Sequence, residues 1–310
     1  KKEQVHVFDK KNSRVFTSNT KNVASENGFY NFTLEDGSEY TWEVTLSELE
    51  GKTSIIIEKI IKEKSFNNLS DDQRYFLALF LAVQFVRTKD KREIFKDMIQ
   101  QFSDVIMSRL GCEQDLFCEN SVKSLVSDES LKRYTADCLS DVKEKYLPYF
   151  LNKIWTLYEA PKGEVFYIGD NPVSLFNFFP SDNFCESNIG LAVKGVEIYL
   201  LISSKYSIVL FCPEVISDLY NEVELARNKI GSMFDRDGFD EKIAETEKLL
   251  ENISSGNSYT IDSENVTHCN SLQVMYSNSY VFSSMKNFDL VRRMIKDNEK
   301  YKGGMRGRVS

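Results

Sequence analysis

The chain has 310 residues, 42% of them hydrophobic and 13% aromatic, enough apolar material for one large or two small cores, which excludes an intrinsically disordered protein. The net charge of −8 argues against a broad basic footprint for nucleic acid and against attachment to anionic membranes, while leaving room for a nuclease with a local positive potential. The longest apolar run, Tyr75 to Val86, is too short for a membrane span and contains Gln84, so no transmembrane helix is expected.

In chain order, Val5 to Asp9 alternates like a strand, 10–13 is a turn and Arg14 to Thr17 returns as a hairpin partner. Gly28 to Phe32 is a second extended piece and Asp36-Gly37 a turn. Helices dominate from Glu39 to Lys153. Glu48 and Glu50 are expected just before a helix that starts near Ile55. Ser70 with Gln73 three residues later reads as a capping box for the helix carrying Tyr75 to Val86. That helix is apolar on nearly every side and is expected to be the core helix. Lys89 to Leu110 is amphipathic, and shorter helices are expected at 121–126, 130–140 and 142–153.

From Trp155 the pattern changes to strands, expected at 155–159, 165–168, 195–202 and 206–212, with short turns that favour antiparallel pairing. Helical periodicity returns at 215–229, 239–251, within 266–281 and at 289–300. These elements predict an α+β fold: an N-terminal hairpin, a central helical bundle with one core helix, a small mainly antiparallel sheet and C-terminal helices. One domain is expected over 1–302, its helical half at about 39–153 and its sheet-containing half at about 155–295, followed by a flexible tail at 303–310.

Chemistry is concentrated where polar groups interrupt apolar elements. Gly169-Asp170-Asn171-Pro172 stops the strand at 165–168, because Pro172 lacks an N–H and Asp170 and Asn171 bond neighbouring backbone. A carboxylate and an amide are thereby held at a strand end. Gln84 and Arg87 lie three apart on one face of the apolar helix, and a buried guanidinium there requires a partner. Arg87 is expected to be largely buried, with Asp170 its first candidate partner and Glu50 its second. Convergence of Glu50 with Asp170 would make a paired-carboxylate site for a divalent metal. Glu197 and Lys194 flank the next strand in a weak echo of the Asp then Glu-x-Lys pattern of metal-dependent nucleases. His268 beside Cys269 and the isolated His6 are thin signals for nucleophilic catalysis. The six cysteines show no C-x-x-C spacing and are expected as reduced thiols of a cytoplasmic protein. The chain begins Lys1-Lys2 without Met, so upstream residues are expected.

Six short pieces in order carry a family resemblance. They are Val7-Phe8-Asp9-Lys10, Val23 to Tyr30, Leu46-Ser47-Glu48-Leu49-Glu50, Leu79 to Thr88, Gly169 to Val173 and Asn270-Ser271-Leu272-Gln273. Together they resemble the bacterial family of unknown function DUF4238. Members of that family open with a His-His-Tyr-Val-Pro-Gln-like motif, which would lie just upstream of Val5. Many read Thr-Ser-Asp-Asn-Pro where this chain has Ile168-Gly169-Asp170-Asn171-Pro172. The resemblance implies a fold unit and no assigned chemistry.

Two functional readings compete. The first is a cytoplasmic bacterial hydrolase, a nuclease-like effector of defence or toxicity, with Asp170, Asn171, Glu50, Gln84 and Arg87 as the catalytic set and Asp170 and Glu50 as metal ligands. The alternative is a non-catalytic sensing or protein-interaction module in which the same residues form a buried structural network. An enzyme needs these side chains around an open pocket, whereas full burial with every polar atom internally paired favours the module.

Overall fold

A computed structural model describes residues 4–19, 31–33, 38–110, 116–179, 188–230 and 237–304. The expected N-terminal hairpin forms from β1 (Gln4–Asp9) and β2 (Arg14–Asn19). A short pair, β3 (Asn31–Thr33) and β4 (Glu39–Thr41), precedes the helices. These are α1 (Glu43–Glu63), α2 (Asp71–Val86), α3 (Lys89–Leu110), α4 (Leu116–Leu125) and α5 (Asp128–Ser140), then a π-helical segment (Val142–Tyr146) and α6 (Leu147–Leu151). The second half holds β5 (Ile154–Glu159), β6 (Ile168–Gly169), β7 (Val173–Asn177), β8 (Val196–Leu201) and β9 (Tyr206–Phe211). It continues with α7 (Pro213–Ile230), α8 (Asp237–Ser255), β10 (Ser258–Thr260), α9 (Ser263–Tyr276), β11 (Tyr280–Ser283), α10 (Asp289–Asp297) and a 3-10 turn (Glu299–Gly303). The architecture is α+β, as expected.

The capping box on α2 is present in both directions: Ser70 Oγ accepts from the Gln73 N–H and Gln73 Oε1 accepts from the Ser70 N–H, each at 3.2 Å. Helix α1 corrects one expectation. Glu48 and Glu50 lie inside it, because Leu46, Leu49, Thr53, Ile56 and Ile60 form one buried stripe and Gly51, facing open space, does not break it.

The five-stranded sheet has the order β10-β5-β9-β8-β7, antiparallel throughout except for the parallel β10–β5 pair. Strand β9 lies at its centre and is buried at all six positions, as its nearly unbroken apolar sequence requires of a strand covered on both faces. One face, with Leu157, Leu175, Ile198, Ile208 and Leu210, packs with α1, α2 and α6 residues such as Ile60, Leu77 and Phe150. The other face, with Tyr158, Tyr199, Val209 and Phe211, packs with α7, α8 and α9 residues including Ile216, Leu250 and Leu272. The smaller sheet has the order β2-β1-β11-β6. It shares a third cluster, Phe8, Val281 and Phe288 among it, with α9 and α10.

Two further expectations are corrected. The strand read at 165–168 shrinks to Ile168–Gly169 at an edge of the smaller sheet. The helix expected within 266–281 is α9, and Val281 beyond it belongs to β11 between β1 and β6. Residues 303–304 are not a loose tail: Gly304 is buried, and a Cβ there would lie 3.2 Å from the Ser277 carbonyl and 3.3 Å from Asp90. The rest of that expected tail, 305–310, lies outside the described residues, as do Gly28 to Tyr30 of the second extended piece.

Candidate functional site

The predicted residues separate into two clusters. In the first, Arg87 caps the C-terminal end of α2, and its Nη1 donates to Glu50 Oε1 of α1 at 2.6 Å. Its Nε donates to Gln84 Oε1 at 3.1 Å. The Arg87 side chain retains 17% of its exposure and Glu50 48%, so the pair straddles the surface. Glu50, the second candidate, is therefore the partner of Arg87, and no ion pair joins Arg87 to Asp170.

The second cluster is built by α9. Asn270 and Gln273 stand three residues apart on a buried face and strap the preceding chain. Asn270 Oδ1 accepts from the Tyr167 N–H at 2.7 Å and its Nδ2 donates to the Val165 carbonyl at 3.0 Å. Gln273 Oε1 accepts from the Gly169 N–H at 2.8 Å, and its Nε2 donates to the Pro172 carbonyl at 3.1 Å and to Ser174 Oγ at 3.2 Å. These amides replace a neighbouring strand, which is why 165–167 is not one.

Asp170 then turns inward. Its Oδ1 accepts from the Asn278 N–H at 2.7 Å, and its Oδ2 accepts from Ser279 and Tyr280 at 2.8 and 3.0 Å. Burial pushes its pKa up, opposed by these three N–H groups and by the charge of Lys10. Lys10 is fully buried. Its Nζ donates to the carbonyls of Val274 and Ser277 at 2.7 and 2.5 Å, a cation set at the C-terminal end of α9 where carbonyls lack helical partners. Asn171 Nδ2 donates to Asp90 Oδ2 at 3.0 Å and to the Tyr276 carbonyl at 3.3 Å, while its buried Oδ1 has no hydrogen-bond partner.

The paired-carboxylate arrangement of Asp170 with Glu50 is not formed, since one faces main-chain N–H groups and the other an arginine. Among the described residues no group of three or more His, Cys, Asp or Glu is placed to hold a metal. The nuclease-like trio also comes apart. Glu197 accepts from Tyr199 Oη at 2.5 Å, and Lys194 pairs with Asp218 at 2.9 Å. His268 packs edge-on against Phe176, with ring centres 4.5 Å apart, and burial pushes the Cys269 thiol up to about 12, so the two do not form an activated pair. His6 bonds Thr17 Oγ1 at 3.0 Å within the hairpin.

A cavity of about 300 Å³ opens elsewhere, between α1, α2 and the junction of α5 with the π segment. Leu46, Leu49, Leu79, Val83, Leu139 and Val142 form its apolar wall, and Lys52, Lys143 and Glu48 bring charge to it. Sequence reasoning missed this lining. It also named Asn270 and Gln273 only as part of a motif, although two amides three apart on an otherwise apolar helix face were a readable signal.

The six motif pieces are thus partly explained by pairing: Arg87 bonds both Glu50 and Gln84, and Asn270 and Gln273 meet 165–174. Over residues 1–287 the chain matches the family described as Protein of unknown function (DUF4238). The chain belongs to that family. No curated protein and no solved structure matches it. No helix among the described residues is long and apolar enough to cross a membrane.

Proposed function

We propose that this DUF4238 chain is a non-catalytic sensing or interaction module of the bacterial cytoplasm. The observation that supports the reading is how the nominated polar groups are used. A general base or a metal-bound carboxylate needs a lone pair directed at substrate or ion. Both oxygens of Asp170 are instead directed at the N–H groups of residues 278–280, and Glu50 and Gln84 both accept from Arg87. The cavity, by contrast, is lined mainly by apolar side chains suited to holding a ligand. The buried free thiols of Cys138, Cys212 and Cys269 suit a reducing compartment.

The test expresses the full-length protein beside Asp170→Ala and scores growth, nucleic-acid integrity and thermal stability. The module reading expects intact nucleic acid in both cultures. It also expects a clear loss of stability in the variant, because each buried N–H left unpaired costs about 1–3 kcal/mol. The reading is overturned if the wild type degrades nucleic acid or arrests growth while a variant of unchanged stability does neither.

A further inference from the structure

The cavity between α1, α2 and the π segment has features that single out a ligand class. Its volume of about 300 Å³ is at the lower limit of small-molecule sites, which run from about 300 to 1,000 Å³, and suits one short chain rather than a two-chain lipid. Its wall is apolar, and Leu46, Val83 and Leu139 are themselves buried.

The charges at the cavity are not internally matched. Lys52 rests its ammonium 4.8 Å from the centre of the Phe76 ring, and Lys52 and Lys143, both exposed at the cavity rim, are in no ion pair with any described residue. Glu48 is the acid among the lining residues, so the local balance is positive on a chain whose net charge is −8. Such a site attracts an anion locally, against the field of the whole molecule.

Two details of the backbone and its neighbours support the same reading. The segment Val142–Tyr146 is π-helical, with the Leu147 N–H bonded to the Val142 carbonyl. The extra residue in that turn shifts the face continued from α5 and sets Val142 and Lys143 in the cavity lining. Trp42 stands edge-on to Tyr40, and its solvent-shielded indole N–H has no hydrogen-bond acceptor. That N–H has no accessible surface, so what Trp42 offers a ligand in the cavity is its ring.

We propose that this cavity binds a small anionic amphiphile, a medium-chain carboxylate, with its chain against the leucines and its carboxylate between Lys52 and Lys143. The proposal rests on the binding-module reading and specifies its ligand class. Uncharged and cationic amphiphiles of the same length bind less tightly, because only the carboxylate meets the two ammonium groups.

The experiment titrates decanoate, decanol and decylamine, each below its aggregation limit, into the full chain, read by calorimetry and tryptophan fluorescence. The chain has two tryptophans, Trp42 in the cavity lining and Trp155 in the core against Phe66, so Trp42→Phe identifies the reporter. Decanoate should saturate a single site at least tenfold more tightly than decanol or decylamine. The Lys52→Gln/Lys143→Gln double variant should lower decanoate affinity to that of decanol, and Val83→Phe, which fills the cavity from a buried position, should remove binding of both in protein that a thermal melt shows to be folded. Absence of saturable decanoate binding to the folded wild type overturns the proposal, and so does equal binding of the three amphiphiles. A nuclease activity lost in Asp170→Ala would overturn the module reading alone and leaves the decanoate titration to be judged on its own result.

Discussion

Burying a charged side chain costs several kcal/mol of lost hydration unless polar groups replace the water. Lys10 meets that requirement with carbonyls at the end of α9, and Asp170 with three consecutive N–H groups. Glu197 is less well provided for. It stands on the face of the large sheet covered by α7, α8 and α9, with Tyr199 Oη as its hydrogen-bond partner and Lys153 as its nearby cation. Burial raises its pKa, and the hydroxyl and the ammonium oppose the rise without cancelling it. A folded pKa above the unfolded one means that this carboxyl supports the fold fully below its ordinary value of 4.5, and that the support is lost as pH rises through the folded value. Glu197→Gln keeps an acceptor for Tyr199 and removes the titration. It should therefore melt higher than the wild type near neutral pH, with the advantage disappearing in acid. Thermal melts across that range check the sign; an advantage confined to acid would refute it.

At the scale of elements, the close approach of α9 to the chain at 165–174 depends on Gly169. A Cβ on Gly169 would lie 2.9 Å from the Ser277 Cβ and 3.1 Å from the Gln273 carbonyl, closer than packed atoms tolerate. Gly169→Ala should lower stability by about 1–3 kcal/mol, the usual cost of overpacking a tight contact. An unchanged urea midpoint would show that α9 can move away freely. The same region marks where sequence reasoning stops. Helix α2 was legible because its signals are local: the Ser70–Gln73 box, the apolar run and the Gln84–Arg87 spacing all lie within one helix. The partner of Arg87 was legible only as a pair of alternatives, because Asp170 and Glu50 are equally acidic and topology alone decides between them. Strand β7 escaped notice because Pro172 reads as a stop, yet a proline immediately before a strand withholds no ladder hydrogen bond from it. The cavity was not legible at all. Its lining comes from three helices and the π segment, and each residue taken alone reads as ordinary core or ordinary surface.

At the scale of the molecule, the division near Trp155 is a change of secondary structure within a shared core. Trp155 packs edge-on against Phe66 of the helical half, with ring centres 5.8 Å apart. Leu157, Ile198 and Leu210 of the sheet lie in one buried cluster with Ile56, Leu77 and Leu81 of the helices. Polar links cross the same line. Lys64 pairs with Glu159 at 2.8 Å, and Ser65 forms an isolated bridge with Asn257. Cleavage near Trp155 would therefore expose the apolar face of the sheet and the core side of α2 together. The sheet fragment would keep its α7–α9 face but lose the cover of the other, and the helical fragment would lose the sheet it packs on, so neither closes the core that independent folding requires. Limited proteolysis should accordingly leave the chain intact through 154–159 under native conditions. If a cut is forced there, the two pieces should either remain associated or aggregate. Recovery of two soluble, separately melting fragments would show instead that the helical and sheet-containing halves are distinct domains.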